Sequence, residues 1–179
     1  MIYTLKWIKE NLGHIIQDSI EGTIYTEDWL AGIVMRETGG LIERYANEHL
    51  KFDVICSLMK GDFSQRHGEA EKGYHGFGFF QIDIGSYPDF VKSGDWKDPV
   101  KTCQMAVRVL ESKRKFIVNH LGGLKDDALH RAITAAYNCG EGMVFKALIN
   151  SKDVDIYTAN NNYSRSVWIY REKYKELQG

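Results

Sequence analysis

Apolar residues recur at helical spacing along most of this chain, and one short stretch breaks the rhythm. Leu5, Ile8, Leu12, Ile15, Ile16 and Ile20 fall near one face of a helix, which predicts an N-terminal helical segment over residues 1–25, weakened near Gly13. Thr26 is placed to cap a second helix, with Glu27 and Asp28 suited to its first turn. The run Trp29-Leu30-Ala31-Gly32-Ile33-Val34-Met35-Arg36-Glu37 carries that helix to Thr38-Gly39-Gly40, which is expected to stop it. Residues 41–74 show no single period. There, 41–50 reads as a helix, 52–59 as a strand or a helix, and 61–73 as polar loop, so the segment as a whole is expected to be an extended loop insertion.

The second half is easier. Phe77-Gly78-Phe79-Phe80-Gln81-Ile82-Asp83 reads as a short extended segment ending in turn residues. Asp98-Pro99 combines a cap with proline at the first helical position, and the helix it opens runs to about Asn119 before Leu121-Gly122-Gly123. Asp126 is expected to cap an Ala-rich helix through Ala136. A short helix near 143–149 and a last one over 162–175 follow. The sum is one mainly α domain spanning 1–179, a helical lobe with a small β-containing patch.

Composition narrows the partners more than the chemistry. At 44% hydrophobic and 12% aromatic residues the chain is a folded globule. A formal net charge of −1 gives no electrostatic case for nucleic acid or an anionic membrane as the main partner. Ten Tyr and four Trp are many for this length; such rings form the floors of sugar sites, yet more often they are core. Cys56, Cys103 and Cys139 form neither a CxxC pair nor an even framework, so one bridge or three free thiols are both open. The first residues lack the apolar core and cleavage site of a signal peptide, and no apolar run reaches the length of a membrane span.

Glu37 is the leading candidate for chemistry. Ile33 and Val34 lie four and three residues before it, so its carboxyl shares their buried face. Burial disfavours the charged form, and a helix C-terminus would push the same way. Both raise the pKa, which keeps a carboxylic acid protonated near neutral pH and able to give its proton to a leaving group. Cleaving a glycosidic bond by inversion also needs a carboxylate to handle water. Asp83 qualifies, since Phe79, Gln81 and Asp83 share one face of an extended segment. Gly76 and Gly78 would let the backbone approach a bulky ligand, and Gly76 and Phe77 are expected along it. Tyr137 and Asn138 put a phenol and an amide at a helix end, which suits an N-acetylated sugar. Each feature has a plainer reading: a Glu near a helix end is usually solvated or paired, Asp83 can simply start the turn at Gly85-Ser86, and Tyr137-Asn138 can be a helix terminus and no more. His67, Glu69, Glu71 and His75 match no metal-ligand spacing, and no metal or cofactor is expected.

Four blocks taken in order are more specific. Gly-Ile-Val-Met-Arg-Glu-Thr (32–38), Gly-Phe-Gly-Phe-Phe-Gln-Ile-Asp (76–83), Ala-Tyr-Asn-Cys-Gly-Glu-Gly (136–142) and Asn-Tyr-Ser-Arg-Ser-Val (162–167) together resemble the goose-type lysozymes, which share glycoside hydrolase family 23 with the soluble lytic transglycosylases. The resemblance spans about 29–175. It implies a lysozyme-like α+β fold with a cleft between the two parts, and cleavage of the β-1,4 bond between N-acetylmuramic acid and N-acetylglucosamine. It places Glu37 on the catalytic acid and Asp83 on one of two aspartates that handle water. Gln81, Tyr137 and Asn138 fall on substrate-binding positions, and Tyr163 on a tyrosine that hydrogen-bonds the catalytic carboxyl. The second aspartate has no ungapped match, because counting back lands on Lys72; Glu71 ranks first as its substitute by proximity, ahead of Glu69 or Asp62. The connection from Glu37 to Gly76 is longer than in the avian enzymes, and their four N-terminal cysteines have no counterparts here.

A hydrolase is therefore expected, inverting, with Asp83 aiding the water. The alternatives are a lytic transglycosylase yielding 1,6-anhydromuramyl ends, a chitinase, and a non-catalytic murein-binding module. The expected partner is the peptidoglycan glycan strand, met by a monomer, with room for an inhibitor or immunity protein. Its place of action would be the cell wall, in periplasm or outside, reached by phage lysis, a secretion system or a leader absent from this sequence.

Overall fold

The computed structural model describes residues 1–177; the chain is mainly helical with one small antiparallel sheet. In order come α1 (Ile2–Ile20), α2 (Glu27–Asn47), α3 (Phe52–Leu58), β1 (Lys60–Ser64), β2 (Gly73–Phe77), β3 (Ile82–Asp83), α4 (Pro88–Lys92), α5 (Pro99–His120), α6 (Asp126–Cys139), α7 (Glu141–Ile149) and α8 (Tyr163–Lys175). No helix among the described residues is long and apolar enough to cross a membrane.

α2 is the axis of the core. Leu30, Ala31, Ile33, Val34 and Ile42 are fully buried, with α1 and α8 packed most closely against the helix. Its crossing with α8 is close enough that a methyl group on Gly32 would lie 2.7 Å from the Val167 carbonyl oxygen, so only glycine fits there. Gly13 does a milder version of this on α1, where a Cβ would meet the Glu27 carboxylate at 3.0 Å. α1 is accordingly continuous through Gly13, without the weakening its sequence suggests. Trp29 adds a directional tie, its indole N–H donating to the Thr134 hydroxyl at 2.9 Å.

Thr38-Gly39-Gly40 does not stop α2, which runs on to Asn47. Glycine ends a helix only when the chain can gain by leaving it. Here Gly39 is buried, and a Cβ on it would strike the Met35 sulfur at 2.8 Å. Thr38 Oγ1 lies 3.1 Å from the Val34 carbonyl and 2.9 Å from that of Phe79, tying the helix to the sheet instead of ending it. The expected insertion over 41–74 is corrected in the same way, since α2, α3 and β1 occupy most of it, and the loops left are mainly the α2–α3 connection and the tip of a β1–β2 hairpin. Asp98 caps α5 as expected, accepting from Val100 N–H at 2.8 Å and Lys101 N–H at 3.2 Å. Asp126 does not cap α6; Lys125 holds that position and Asp126 is the first helical residue.

The sheet has the order β1-β2-β3, antiparallel throughout. Gly61 pairs with Gly76, Phe63 with Tyr74, and Gly76 in turn with Asp83. The single extended segment expected over 77–83 is two strands with a tight turn between them. Gly78, at φ +76°, makes that turn, and a Cβ there would lie 2.6 Å from Thr102. Phe77, expected along a ligand, packs into a small separate core with Val91 and Trp96.

Candidate functional site

A cleft of about 820 Å³ opens between α2 and α6 on one side and the sheet on the other. Glu37, Gly76, Gln81, Asp83, Tyr137 and Asn138 all line it, brought together from three distant stretches of chain. Glu71 does not line it and is solvent-exposed. Asp62, one of the two substitutes placed behind Glu71, does.

Glu37 sits in mid-helix, so the helix terminus expected to raise its pKa is absent. Burial is the leading cause, pushing the carboxyl from 4.5 to about 7 against the opposing pull of a Tyr163 hydrogen bond and the Arg36 charge. Tyr163, itself buried, donates its phenol proton to Glu37 Oε1. Burial and the nearby Glu37 hold the Tyr163 and Tyr137 hydroxyls well above their ordinary range, so both remain neutral donors.

The floor around Glu37 is held by hydrogen bonds that sequence reasoning did not supply. Tyr137 donates to the Phe80 carbonyl at 2.7 Å, fixing the β2–β3 turn. The Asn138 side-chain oxygen accepts from Ala159 N–H at 2.9 Å, fixing the segment before α8. Asp155, fully buried, accepts from Ser164 N–H and from the Ser164 hydroxyl, both at 2.8 Å. These bonds set where α8 begins, and hence where the Tyr163 phenol lies. The only hint of Asp155 in the sequence is an acidic residue amid Thr, Asn and Ser, a common turn composition.

Gln81 is held in a left-handed conformation, φ 50°, that a non-glycine residue adopts at a cost. Its amide nitrogen donates to the Gly78 carbonyl at 2.9 Å, and its oxygen lies where side chains on Gly61 and Gly76 would be, 2.1 and 2.4 Å from their ideal Cβ positions. Gly76 therefore makes room for a side chain of this chain first, rather than directly for a ligand.

On the sheet wall, Arg66 reaches back from the hairpin and bridges two carboxylates, Asp83 at 2.5 Å and Asp62 at 2.8 Å. Asp83 also accepts from the Ser86 N–H at 2.8 Å and the Ser86 hydroxyl at 3.0 Å. Partial burial opposes these bonds, yet together they hold the Asp83 carboxyl below its usual range; Asp62 is lowered too, chiefly by Arg66. Glu69 and His75 face each other at 2.8 Å, and among the described residues no group of three potential metal ligands gathers. Cys56, Cys103 and Cys139 are free thiols.

The cleft thus opposes a sheltered acid to a pair of ionised, arginine-bridged carboxylates. That arrangement can protonate a bound oxygen from one side and hold a water or hydroxyl from the other. No protein-family model matches the chain, and no curated protein matches its sequence.

Proposed function

We propose that this chain is a peptidoglycan-cleaving glycosidase with a lysozyme-like fold, akin to the goose-type lysozymes and soluble lytic transglycosylases. Its target is the β-1,4 bond between N-acetylmuramic acid and N-acetylglucosamine, in the cell wall. The observation that carries this is the Glu37 carboxyl: half-buried, shifted to about 7 by desolvation, oriented by Tyr163 and open to a cleft. A carboxylic acid in that state holds its proton near neutral pH and donates it to the bridging oxygen as the C–O bond breaks.

Asp83 supplies the second half by holding water at the anomeric carbon in an inverting hydrolysis. Its bonds from Arg66 and Ser86 suit it to positioning water more than to abstracting a proton. Those same bonds favour a second reading. Where no free base is at hand, the muramyl 6-hydroxyl attacks the anomeric carbon, Glu37 takes up that proton, and a 1,6-anhydro end results.

Digestion of purified murein tests both. The parent should release disaccharides and Glu37→Gln should release essentially none, at unchanged folding. Mass spectrometry of the new ends then distinguishes hydrolysis, which adds water, from transglycosylation, which does not. Equal release by parent and variant would remove Glu37 from the chemistry.

A further inference from the structure

His75, on β2 and lining the cleft, has a side chain only 3% exposed. Its ring meets acceptors at both nitrogens. Nδ1 lies 2.9 Å from the Asp62 carbonyl oxygen, and Nε2 lies 2.8 and 2.9 Å from the two Glu69 carboxylate oxygens. A carbonyl has no proton to give, so Nδ1 donates. Glu69 also accepts from the Arg66 N–H at 2.7 Å and stands partly in solvent, which keeps it ionised, so Nε2 donates as well. The Ser64 hydroxyl, 3.2 Å from Nδ1, gives its proton to the nearer Asp62 carboxylate at 3.0 Å. A ring that donates from both nitrogens is an imidazolium, its proton positions assigned here from the acceptors it faces.

Both residues that grip this ring also grip Arg66. Glu69 binds the ring and the Arg66 N–H; Asp62 gives its carbonyl to the ring and its carboxylate, at 2.8 Å, to the Arg66 guanidinium. The other arm of the guanidinium reaches Asp83 on β3. The Ile84 N–H donates to the His75 carbonyl at 2.9 Å, so the backbone of His75 is tied to the chain just past Asp83. The charges facing His75 are Asp62 from β1, its carboxylate 3.6 Å from Nδ1, and Glu69 and Arg66 from the hairpin tip; on β3 the acid is Asp83, engaged by Arg66 and Ser86. Glu69 and the Asp62 carbonyl raise the pKa of the ring above its ordinary 6.5, against burial and the Arg66 charge.

We propose that His75 is a positioning residue: as an imidazolium it closes the hairpin around Arg66 and so seats the Arg66 guanidinium on Asp83. Its importance for cleavage rests on the reading of Asp83 as the group that handles water. Arg66 is long and 41% exposed, and on an unsecured hairpin its side-chain entropy would work against a fixed bridge. The clasp removes that freedom before substrate arrives. Two substitutions separate charge from shape. Glutamine offers one donor end and one acceptor end, so His75→Gln leaves one of the two acceptors facing an oxygen. Glu69→Gln keeps an oxygen for the Arg66 N–H and can turn an amide N–H toward Nε2, so a neutral ring suffices.

The guanidinium reports the outcome by NMR. Bound to two carboxylates it turns slowly about its C–N bonds and its Nη resonances are separate; released, they merge. At pH 6 the parent should show separate Arg66 resonances and protons on both His75 ring nitrogens, with a ring midpoint above 6.5. His75→Gln should merge the Arg66 resonances, whereas Glu69→Gln should leave them separate and move the His75 midpoint down. On murein, His75→Gln and Arg66→Ala should each lower kcat about threefold, the scale of an exposed ion pair, and together no further than either alone. A bare ring nitrogen at pH 6, Arg66 resonances untouched by His75→Gln, or additive losses in kcat would overturn the positioning role. Should His75→Gln not fold, a His75 midpoint unmoved by Glu69→Gln would overturn it, and a lowered one with Arg66 still held would support it. A parent that leaves murein uncut would remove the glycosidase reading, and the resonances alone would then decide whether His75 holds Arg66.

Discussion

The two walls of the cleft carry the same functional group under opposite rules. On the helical wall, Glu37 is enclosed by a core packed around α2, has one phenol for company, and is driven toward its neutral form. On the sheet wall, Asp62 and Asp83 stand partly in solvent, are bridged by Arg66, and are driven toward the charged form. One wall offers a proton and the other keeps a negative charge, and environment alone assigns the roles. Mutations on the helical wall should therefore shift the pH dependence of cleavage, whereas those on the sheet wall should leave it in place.

The largest effect is expected from Glu37→Gln, a loss of roughly a thousandfold or more in murein cleavage. The same variant should alter the pH dependence of stability. Folding raises the Glu37 pKa, so the stability tied to its proton is fully present below the unfolded value of 4.5 and is lost as pH rises through about 7. Melting curves of parent and variant should thus move in favour of the variant by on the order of 2–3 kcal/mol between about pH 5 and pH 8. Asp83→Asn should lower turnover on the order of a hundredfold while leaving the alkaline limb of the pH–rate profile in place, because it removes water positioning and not the acid. A shifted alkaline limb would mean that the two walls are not independent.

Tyr163→Phe comes next. It removes a bond that lowers the Glu37 pKa, so that limb should move upward, with kcat reduced by about tenfold through lost orientation. The smallest effect is expected at Arg66. Because the bridge is largely solvent-exposed, Arg66→Ala should change stability by no more than about 1 kcal/mol in denaturant melts, and less in high salt. A much larger loss would make the sheet wall a structural centre and undo the contrast.

What the sequence disclosed follows the reach of each signal. Glu37, Gln81, Asp83, Tyr137 and Asn138 were found because each sits in a short block of recognisable pattern, and the fold brings those blocks to one cleft. Gly39 and Gly40 misled because glycine stops helices by local preference, whereas the Thr38–Phe79 contact that ties this helix to the sheet is tertiary. Arg66 was hidden in a polar stretch without alternation; its partnership with Asp62 depends on strand register and on the left-handed turn of Asp62, φ 50°. Phe77 packs apart from Gln81 and Asp83 because the turn at Gly78 divides the segment that a uniform alternation would have joined.

The most direct measurement is a carbon NMR titration of the Glu37 side-chain carboxyl, identified by comparison with Glu37→Gln. A midpoint near 7 is the expected result, with the Tyr163→Phe midpoint higher still. A midpoint at the ordinary glutamate value of 4.5 would mean an ionised side chain at neutral pH, with no proton to give, and would contradict the account.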